Sequence, residues 1–321
     1  MDNKNPYFRQ VKLLVRILPL LGEHSCFALK GGTAINLFYR SMPRLSVDID
    51  LVYVPIRERL QALDEMTRSL KDMGNTIISR IPNAKIQFFP LNQTEYVYRL
   101  VVEADRVMVK VELSPVLRGT VYEPRVMRIT RTAEDAFGFA EVPVVSFEDL
   151  FAGKIVAALD RQHPRDLFDI KGLLEHEGIS GNLKEAFIVY LISHNRRIIE
   201  ILNPNLLDIR QTYETDFIGM TTDAVALENL IETRYELIRT VNAMMDERDK
   251  KFLVDFKEGH PDWSYFSVPH IKNLPAVRWK MHNLGQVDTM ERQGMADRLR
   301  KHLACQAPDE RGGLEMMYPI S

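Results

Sequence analysis

Cysteine is scarce in this chain: 321 residues include only two, Cys26 and Cys305. Two thiols cannot make a disulfide framework or a structural zinc site, both of which need more ligands. No apolar run approaches the roughly 18 residues of a membrane-spanning helix. The opening sequence MDNKN also lacks the character of a secretory signal. We therefore expect a protein of the reducing cytoplasm, with no membrane partner.

An excess of one charge sign is lacking as well, since 42 Lys and Arg against 44 Asp and Glu give a net charge of −2. The whole-molecule charge thus favours no class of partner. Apolar residues at 45% and charged residues at 27% exclude a mainly disordered chain. One segment, from His270 to His302, is locally basic and contains Trp279. Such a segment is typical of a polyanion-binding surface, although a solvated helix face is the alternative.

Hydrophobic periodicity divides the chain into two unlike halves and predicts an α+β fold. We predict a domain with a mixed sheet over residues 1–145 and a mainly helical domain over 146–321, in which helices in 146–177 pack back on the first domain. The predicted strands cover residues 26–29, 46–54, 77–81, 86–91, 96–103 and 107–116. The predicted helices cover 8–21, 31–39, 56–73, 146–159, 165–176, 183–202, 206–218, 223–256 and 288–303, with a loop of short turns over 258–287.

A Gly-Gly turn joins the first predicted strand to a helix, in the sequence Lys30-Gly31-Gly32-Thr33. Glycines have no Cβ, so the backbone N–H groups at the helix start can approach a phosphate closely. Thr33 adds a hydroxyl. The turn is a candidate phosphate site, with a purely structural turn as the alternative.

Two carboxylates, Asp48 and Asp50, alternate with apolar residues in the next predicted strand. Because the side chains of a strand alternate between its faces, both carboxylates lie on one face and Ile49 on the other. Like charges this close repel unless a cation neutralises them, and rigid carboxylate oxygens suit Mg²⁺. The pair therefore predicts a magnesium site.

A third carboxylate, Glu112, lies in the sequence KVEL at 110–113. If its strand neighbours the strand of Asp48 and Asp50, Glu112 joins the same metal site, which then suits two ions. The alternative is an ion pair between Lys110 and Glu112, which contributes little to stability.

Charged residues also gather on the two helices predicted after Ser146: Lys154, Arg161, Arg165, Asp166 and Asp169. Lys154 and Arg161 are seven residues apart and share a helical face. A lysine directed from a helix at a triphosphate provides electrostatic stabilisation. Surface salt bridges are the alternative for all five residues.

Together these features predict nucleotidyl transfer from a nucleoside triphosphate (NTP). One Mg²⁺ ion would activate an attacking hydroxyl, and the other would neutralise the departing pyrophosphate. Two other phosphate-handling classes are excluded. The chain has neither the G-x-x-x-x-G-K-[ST] motif of P-loop proteins nor the H-R-D and D-F-G motifs of protein kinases.

Four ordered motifs across residues 27–170 resemble the AbiEii/AbiGii family of toxin nucleotidyltransferases, members of the polymerase-β-like superfamily. The matching stretches are FALKGGTAINLF with SVDIDL, then KVEL, SFEDLFAGKIVAALDR and RDLFDI. The resemblance implies a polymerase-β-like domain in a toxin of a toxin–antitoxin or phage-defence system, with its antitoxin encoded alongside. Family members transfer nucleotides from an NTP with Mg²⁺, and some modify tRNA 3′ ends and so block translation.

The resemblance also assigns roles to residues. Asp166 matches a position that the family's activity requires, either as a base or as a residue that positions Lys154 or the acceptor. Glu112 stands as the third acid with a longer reach than Asp. The expected nucleotide-binding residues are Gly31, Gly32, Thr33, Lys154 and Arg161. The expected catalytic residues are Asp48, Asp50, Glu112, Lys154 and Asp166, with Asp48, Asp50 and Glu112 as metal ligands.

We predict RNA, in particular a tRNA 3′ end, as the acceptor. Two alternatives stay open: transfer to a protein or small molecule, and a non-enzymatic nucleotide-binding module. An RNA end must reach the metals, so a basic groove should line the cleft. Candidate contacts are Arg40, Arg44, Lys71, Arg161, Arg196, Arg197, Arg278 and Lys280, with Trp279 as a base-stacking platform.

Overall fold

The structure is a computed structural model that describes residues 6–304. Cys305 and the tail beyond it lie outside the described residues. None of the described helices combines the length and hydropathy that a membrane crossing requires.

A seven-stranded mixed sheet is formed by the first half of the chain. Its strands, in spatial order, are β3, β4, β5, β2, β1, β7 and β6. Strand β2 pairs in parallel with β5, and β1 with β7, whereas the other neighbours are antiparallel. The strands span β1 Phe27–Lys30, β2 Asp48–Tyr53, β3 Lys85–Pro90, β4 Val97–Ala104, β5 Val107–Leu113, β6 Arg125–Arg128 and β7 Glu141–Val144.

Helices surround the sheet and make up the second half, so the α+β fold class is confirmed. In the first half they are α1 Pro6–Leu21, α2 Gly31–Ala34 with a π-helical continuation Ile35–Tyr39, α3 Arg59–Arg80 and α4 Arg131–Phe137. In the second half they are α5 Phe147–Arg161, α6 Pro164–His176, α7 Gly181–Ser193, α8 Ile198–Leu202, α9 Arg210–Asp216, α10 Leu227–Ala243, α11 Glu247–Glu258, α12 Pro275–Gln286 and α13 Thr289–Ala304.

The two faces of the sheet have different neighbours because strand side chains alternate. The side chains of Ile49 and Leu51 are fully buried in the core. Tyr53, on the same face, donates a hydrogen bond of 2.5 Å from its hydroxyl to Glu65 of α3. Asp48 and Asp50 therefore project from the face opposite α3.

One predicted strand is wrong: residues 77–81 belong to or directly follow helix α3. The physical reason is a helical spacing of buried apolar residues at positions 63, 66, 70, 73 and 77. Position 74 of this helix requires glycine, because the Cβ of any other residue would come within 2.6 Å of the Phe88 ring.

The second half departs from the prediction at several points. The single helix predicted over 223–256 is two helices, α10 and α11, because Asp246 forms a capping box with Asp249 and starts a new helix. Residues 258–287, predicted as a loop, contain α12, which begins at Pro275. Proline is favourable at the first position of a helix, where its missing N–H needs no partner. The predicted helix 183–202 is interrupted after Ser193. Strands β6 and β7 and helix α4 had no predicted counterpart.

Candidate active site

The Gly-Gly turn lies where β1 ends and α2 begins. Gly31 has φ +75°, a conformation that favours glycine, and a Cβ on it would collide with the Asp50 carboxylate. A Cβ on Gly32 would lie 2.6 Å from the Arg44 guanidinium and 2.9 Å from Ser46 Oγ. The turn therefore packs directly against the strand that carries the carboxylates, with its backbone facing them.

We expect Gly31→Ala to destabilise the protein more than an ordinary positive-φ substitution. Gly178 is a matched control, because its φ is +67° and a Cβ there would contact nothing within 4 Å. Both substitutions introduce left-handed strain of about 1–2 kcal/mol. Only Gly31→Ala must also displace Asp50, which adds about 1–3 kcal/mol. Urea unfolding of the two variants measures the difference, and equal losses would contradict the packing described here.

Thr33 is buried beneath the turn and holds the start of β2. Its hydroxyl donates to the backbone carbonyl of Asp48 and lies 3.1 Å from Ser46 Oγ. Asn36 donates to the Gly32 carbonyl at 2.9 Å and so fixes the turn from within the helix. The structure thus places Thr33 in a supporting position, with its hydroxyl already used inside the protein.

Asp48, Asp50 and Glu112 project from one face of the sheet. In the parallel pairing of β2 with β5, Asp50 lies opposite Glu112 and Asp48 opposite Lys110. Neighbouring strands are about 4.8 Å apart. Burial raises the pKa of Asp48, Lys110 opposes this rise, and the charges of Asp50 and Glu112 add to it. The structure therefore brings the three predicted carboxylates together.

The three acids supply the hard oxygen ligands that Mg²⁺ prefers, and their mutual repulsion is what a cation relieves. The Glu112 carboxylate, however, lies 3.4 Å from Lys110 Nζ and 4.0 Å from Arg99, so the ion pair considered as an alternative is also present. Within residues 6–304, no group of three or more His, Cys, Asp or Glu side chains is arranged to hold a metal ion. The three side chains are of the chemical kind that binds Mg²⁺, and the Glu112 carboxylate is directed at Lys110 instead.

A buried ionic cluster on α5 and α6 lies next to the glycine turn. Lys154 Nζ is 2.7 Å from Asp166 and 3.1 Å from Asp169. Arg44 donates two hydrogen bonds to Asp169, at 2.8 and 2.5 Å, and Arg161 donates two to Asp166, at 2.6 and 3.1 Å. The side chain of Arg161 is 62% exposed, whereas that of Lys154 is only 7% exposed. Arg161 is therefore the member of the cluster that reaches solvent.

The two aspartates of the cluster are held ionised. Burial by itself raises the pKa of Asp166, but the charges of Lys154 and Arg161 outweigh burial and lower this pKa well below its usual range. The pKa of Asp169 is lowered against burial in the same way, by Arg44 and Lys154. So strongly ionised a carboxylate is a weak base at neutral pH. Asp166 is therefore a buried carboxylate that binds both Lys154 and Arg161.

The cluster is electrostatically coupled to the carboxylates of the sheet. The charge of Asp50 raises the pKa of Arg161, after the larger effects of Asp166 and burial. The charge of Arg165 lowers the pKa of Asp48, although burial has the largest effect on that group. Arg161 of α5 and Arg165 of α6 therefore lie near enough to Asp50 and Asp48, respectively, to interact with them electrostatically.

One predicted RNA contact is wrong, because Arg44 is buried in the ionic cluster. Lys71 is exposed on α3, on the side of the sheet opposite Asp48 and Asp50. Most of the other candidates are engaged with protein groups: Arg40 with Glu177, Arg196 with Asp160, Arg197 with Glu200, Lys280 with the Asn195 carbonyl and Arg278 with Glu58. Trp279 lies exposed on α12.

Two supporting residues were missed by the sequence analysis. Asn36 follows Gly32 by four residues, which is one helical turn, and this spacing was the available signal. Ser46 gave no signal, because its contact with Thr33 depends on how the chain returns to the turn.

Comparison with known proteins agrees with this geometry and places the molecule among the nucleotidyltransferase toxins. The family described as nucleotidyl transferase AbiEii toxin, type IV toxin–antitoxin system, matches residues 12–283, which is more than half of the chain. The chain therefore belongs to the AbiEii family, and this membership implies an antitoxin partner.

A solved structure of a nucleotidyltransferase toxin is similar to the chain along most of its length. It is that of MenT4, a nucleotidyltransferase toxin from Mycobacterium tuberculosis H37Rv, with 14% sequence identity and a TM-score of 0.46 over 94% of this chain and 93% of that chain. No curated protein sequence gives a significant match.

Proposed function

We propose that the protein transfers a nucleotide from an NTP to RNA, in particular to a tRNA 3′ end, with Mg²⁺ as cofactor, and that this blocks translation in the cytoplasm. The supporting observation is the contact between the Gly31–Gly32 turn and the strand that carries Asp48 and Asp50. A backbone able to approach phosphate lies directly beside carboxylates able to hold a cation.

In this proposal Asp48, Asp50 and Glu112 hold the magnesium. When bound, Mg²⁺ supplies charge neutralisation to the phosphates and lowers the pKa of the attacking hydroxyl. To hold the cation, Glu112 would give up its contact with Lys110. Lys110, opposite Asp48 in the register, would then offset the negative charge of the triphosphate.

The triphosphate is proposed to lie over the glycine turn, with Arg161 as its direct cationic contact. Arg161 carries the accessible side chain of the ionic cluster, and its fork of N–H groups suits phosphate oxygens. Lys154 is buried and acts on the triphosphate through Asp166, which binds both Lys154 and Arg161. Asp166 is therefore proposed as a positioning residue that fixes Arg161 and Lys154.

The test is incubation of the purified protein with each labelled NTP and a total cell extract. We expect the label to enter RNA at tRNA 3′ ends, to depend on Mg²⁺ and to stop on chelation, and 3′-end sequencing to identify the added nucleotide. Label that follows protein or a small molecule would replace RNA as the acceptor. Binding of NTP without any transfer would contradict the enzymatic proposal.

A further inference from the structure

A basic groove of about 370 Å³ lies between α12 and the segments that follow β2 and β5. Four arginines and two rings line it: Arg57, Arg59, Arg118, Arg278, Trp279 and His282. Its volume is in the range of ligand-binding clefts. Glu58 is the acid of the lining, and it pairs with Arg278 at 2.9 Å. Positive charge therefore dominates the groove.

Arg118 is the most informative residue of the groove. It is only 7% exposed, and its Nε and Nη1 atoms have no hydrogen-bond partner in the described part of the chain. Burial lowers the pKa of Arg118, and the charge of Arg59 lowers it further. Buried charges are normally paired, because removing a cation from water is costly. An unpaired guanidinium that borders a groove indicates that an anion completes it.

Trp279 gives the groove a flat apolar surface. The residue is 53% exposed, and its ring stacks on His282 with centroids 5.9 Å apart and planes at 21°. An exposed indole that is held by a neighbouring ring suits the stacking of a nucleic acid base. The combination of arginines with such a ring is typical of sites for single-stranded nucleic acid.

The groove also lies close to the proposed reaction centre. Pro115, part of its lining, follows Glu112 by three residues, which is at most about 11 Å of extended chain. Arg118 borders a smaller cavity as well, which Lys30 and Val52 line from the sheet. Lys30 is the register partner of Asp50, and Val52 shares its face. The lining of the groove therefore begins within about 11 Å of Glu112.

We propose that Arg118, Arg278 and Trp279 form the subsite for the single-stranded segment of the acceptor RNA next to its reacting end. The arginines bind phosphates, and Trp279 stacks one base. This inference rests on the proposed function and names the residues that hold its acceptor. The donor NTP also carries phosphates and a base, and the experiment distinguishes its binding from that of the acceptor RNA.

The experiment measures binding of a labelled, short single-stranded RNA by fluorescence anisotropy without NTP, over a series of salt concentrations. We expect Trp279→Ala to weaken binding roughly 5- to 100-fold. Arg278→Gln should weaken it and flatten the logarithmic salt dependence by about 0.7. Arg131→Gln is the matched control, because Arg131 is also exposed and paired with one exposed carboxylate, Asp135. Circular dichroism verifies that these surface variants fold.

Two outcomes would overturn the subsite. One is equal RNA affinity for Trp279→Ala, Arg278→Gln and Arg131→Gln. The other is unchanged RNA affinity with weakened binding of the magnesium–NTP complex, which would assign the groove to the donor. Failure of the proposed function would be seen separately, as nucleotidyl transfer that survives Asp48→Ala. In that case the RNA affinity measured without NTP still tests the subsite.

Discussion

Asp48→Ala is expected to reduce nucleotidyl transfer by more than about 10²-fold and to remove growth inhibition in cells that lack the antitoxin. Loss of a residue that only supports a metal ligand costs about 10- to 100-fold, so loss of a proposed ligand should cost more. Asp48 also lies opposite Lys110 and beside Asp50, where no other carboxylate takes its place in the register. Unchanged toxicity of the variant would exclude the proposed mechanism.

A folding defect should not explain this loss, because the charge of Asp48 opposes folding. Burial and the charge of Asp50 raise the pKa of Asp48 in the folded protein. The folded state then binds the proton more tightly, so the stability that this carboxyl contributes is present at low pH and is lost as pH rises through the folded pKa.

The isosteric variant Asp48→Asn should therefore be more stable than the parent at neutral pH without divalent cations, and equally stable in acid. Thermal unfolding across pH measures this. Asp135→Asn, which changes an exposed carboxylate on α4, is the control. Lower stability of Asp48→Asn at neutral pH would contradict the sign.

The largest effect on stability is expected from Asp169→Ala, with a loss of about 3–5 kcal/mol in the free energy of unfolding. Asp169 binds Arg44 and Lys154 within the buried cluster and also accepts from Asn36 at 3.3 Å. Its removal leaves the Arg44 charge buried without a partner. Because Arg44 also packs on Gly32, activity should fall together with stability.

Two further variants test this explanation. Asp135→Ala breaks an exposed pair with Arg131 and should cost less than about 1 kcal/mol. The double variant Arg44→Met with Asp169→Leu removes both charges and should recover most of the stability lost in Asp169→Ala, since apolar replacement of a whole buried pair is often neutral. Urea unfolding that shows a loss below about 1 kcal/mol for Asp169→Ala would contradict the buried cluster.

Local patterns predicted the elements that carry the chemistry. The alternation around Asp48 and Asp50 specifies a strand with both carboxylates on one face. Ser146, after which two helices are predicted, caps the start of α5, because its hydroxyl accepts from the Asp149 N–H at 3.0 Å. The helix predicted from residue 165 is α6, and the His163 ring before it accepts from the Arg165 N–H. These features depend on residues near each other in sequence, and so they are readable from it.

Distant contacts decided the roles of several residues that the sequence pointed to. Arg44 was predicted as one of the basic RNA contacts, yet Asp169 on α6 binds it inside the protein. Lys154 looked accessible, but α6 covers it with two aspartates. Arg118 gave no signal in the sequence, because its burial beside the groove without hydrogen-bond partners depends on the folded chain.

By itself the sequence determined the α+β order of elements, the glycine turn, the pair of acids on one strand and the family. Tertiary structure alone decided that Glu112 lies beside Asp50, that the cations of α5 are mostly paired, and that a basic groove continues from the site. The physical reason is range. Backbone periodicity and capping act over a few residues, whereas strand pairing and the burial of charge depend on segments that meet only when the whole chain has folded.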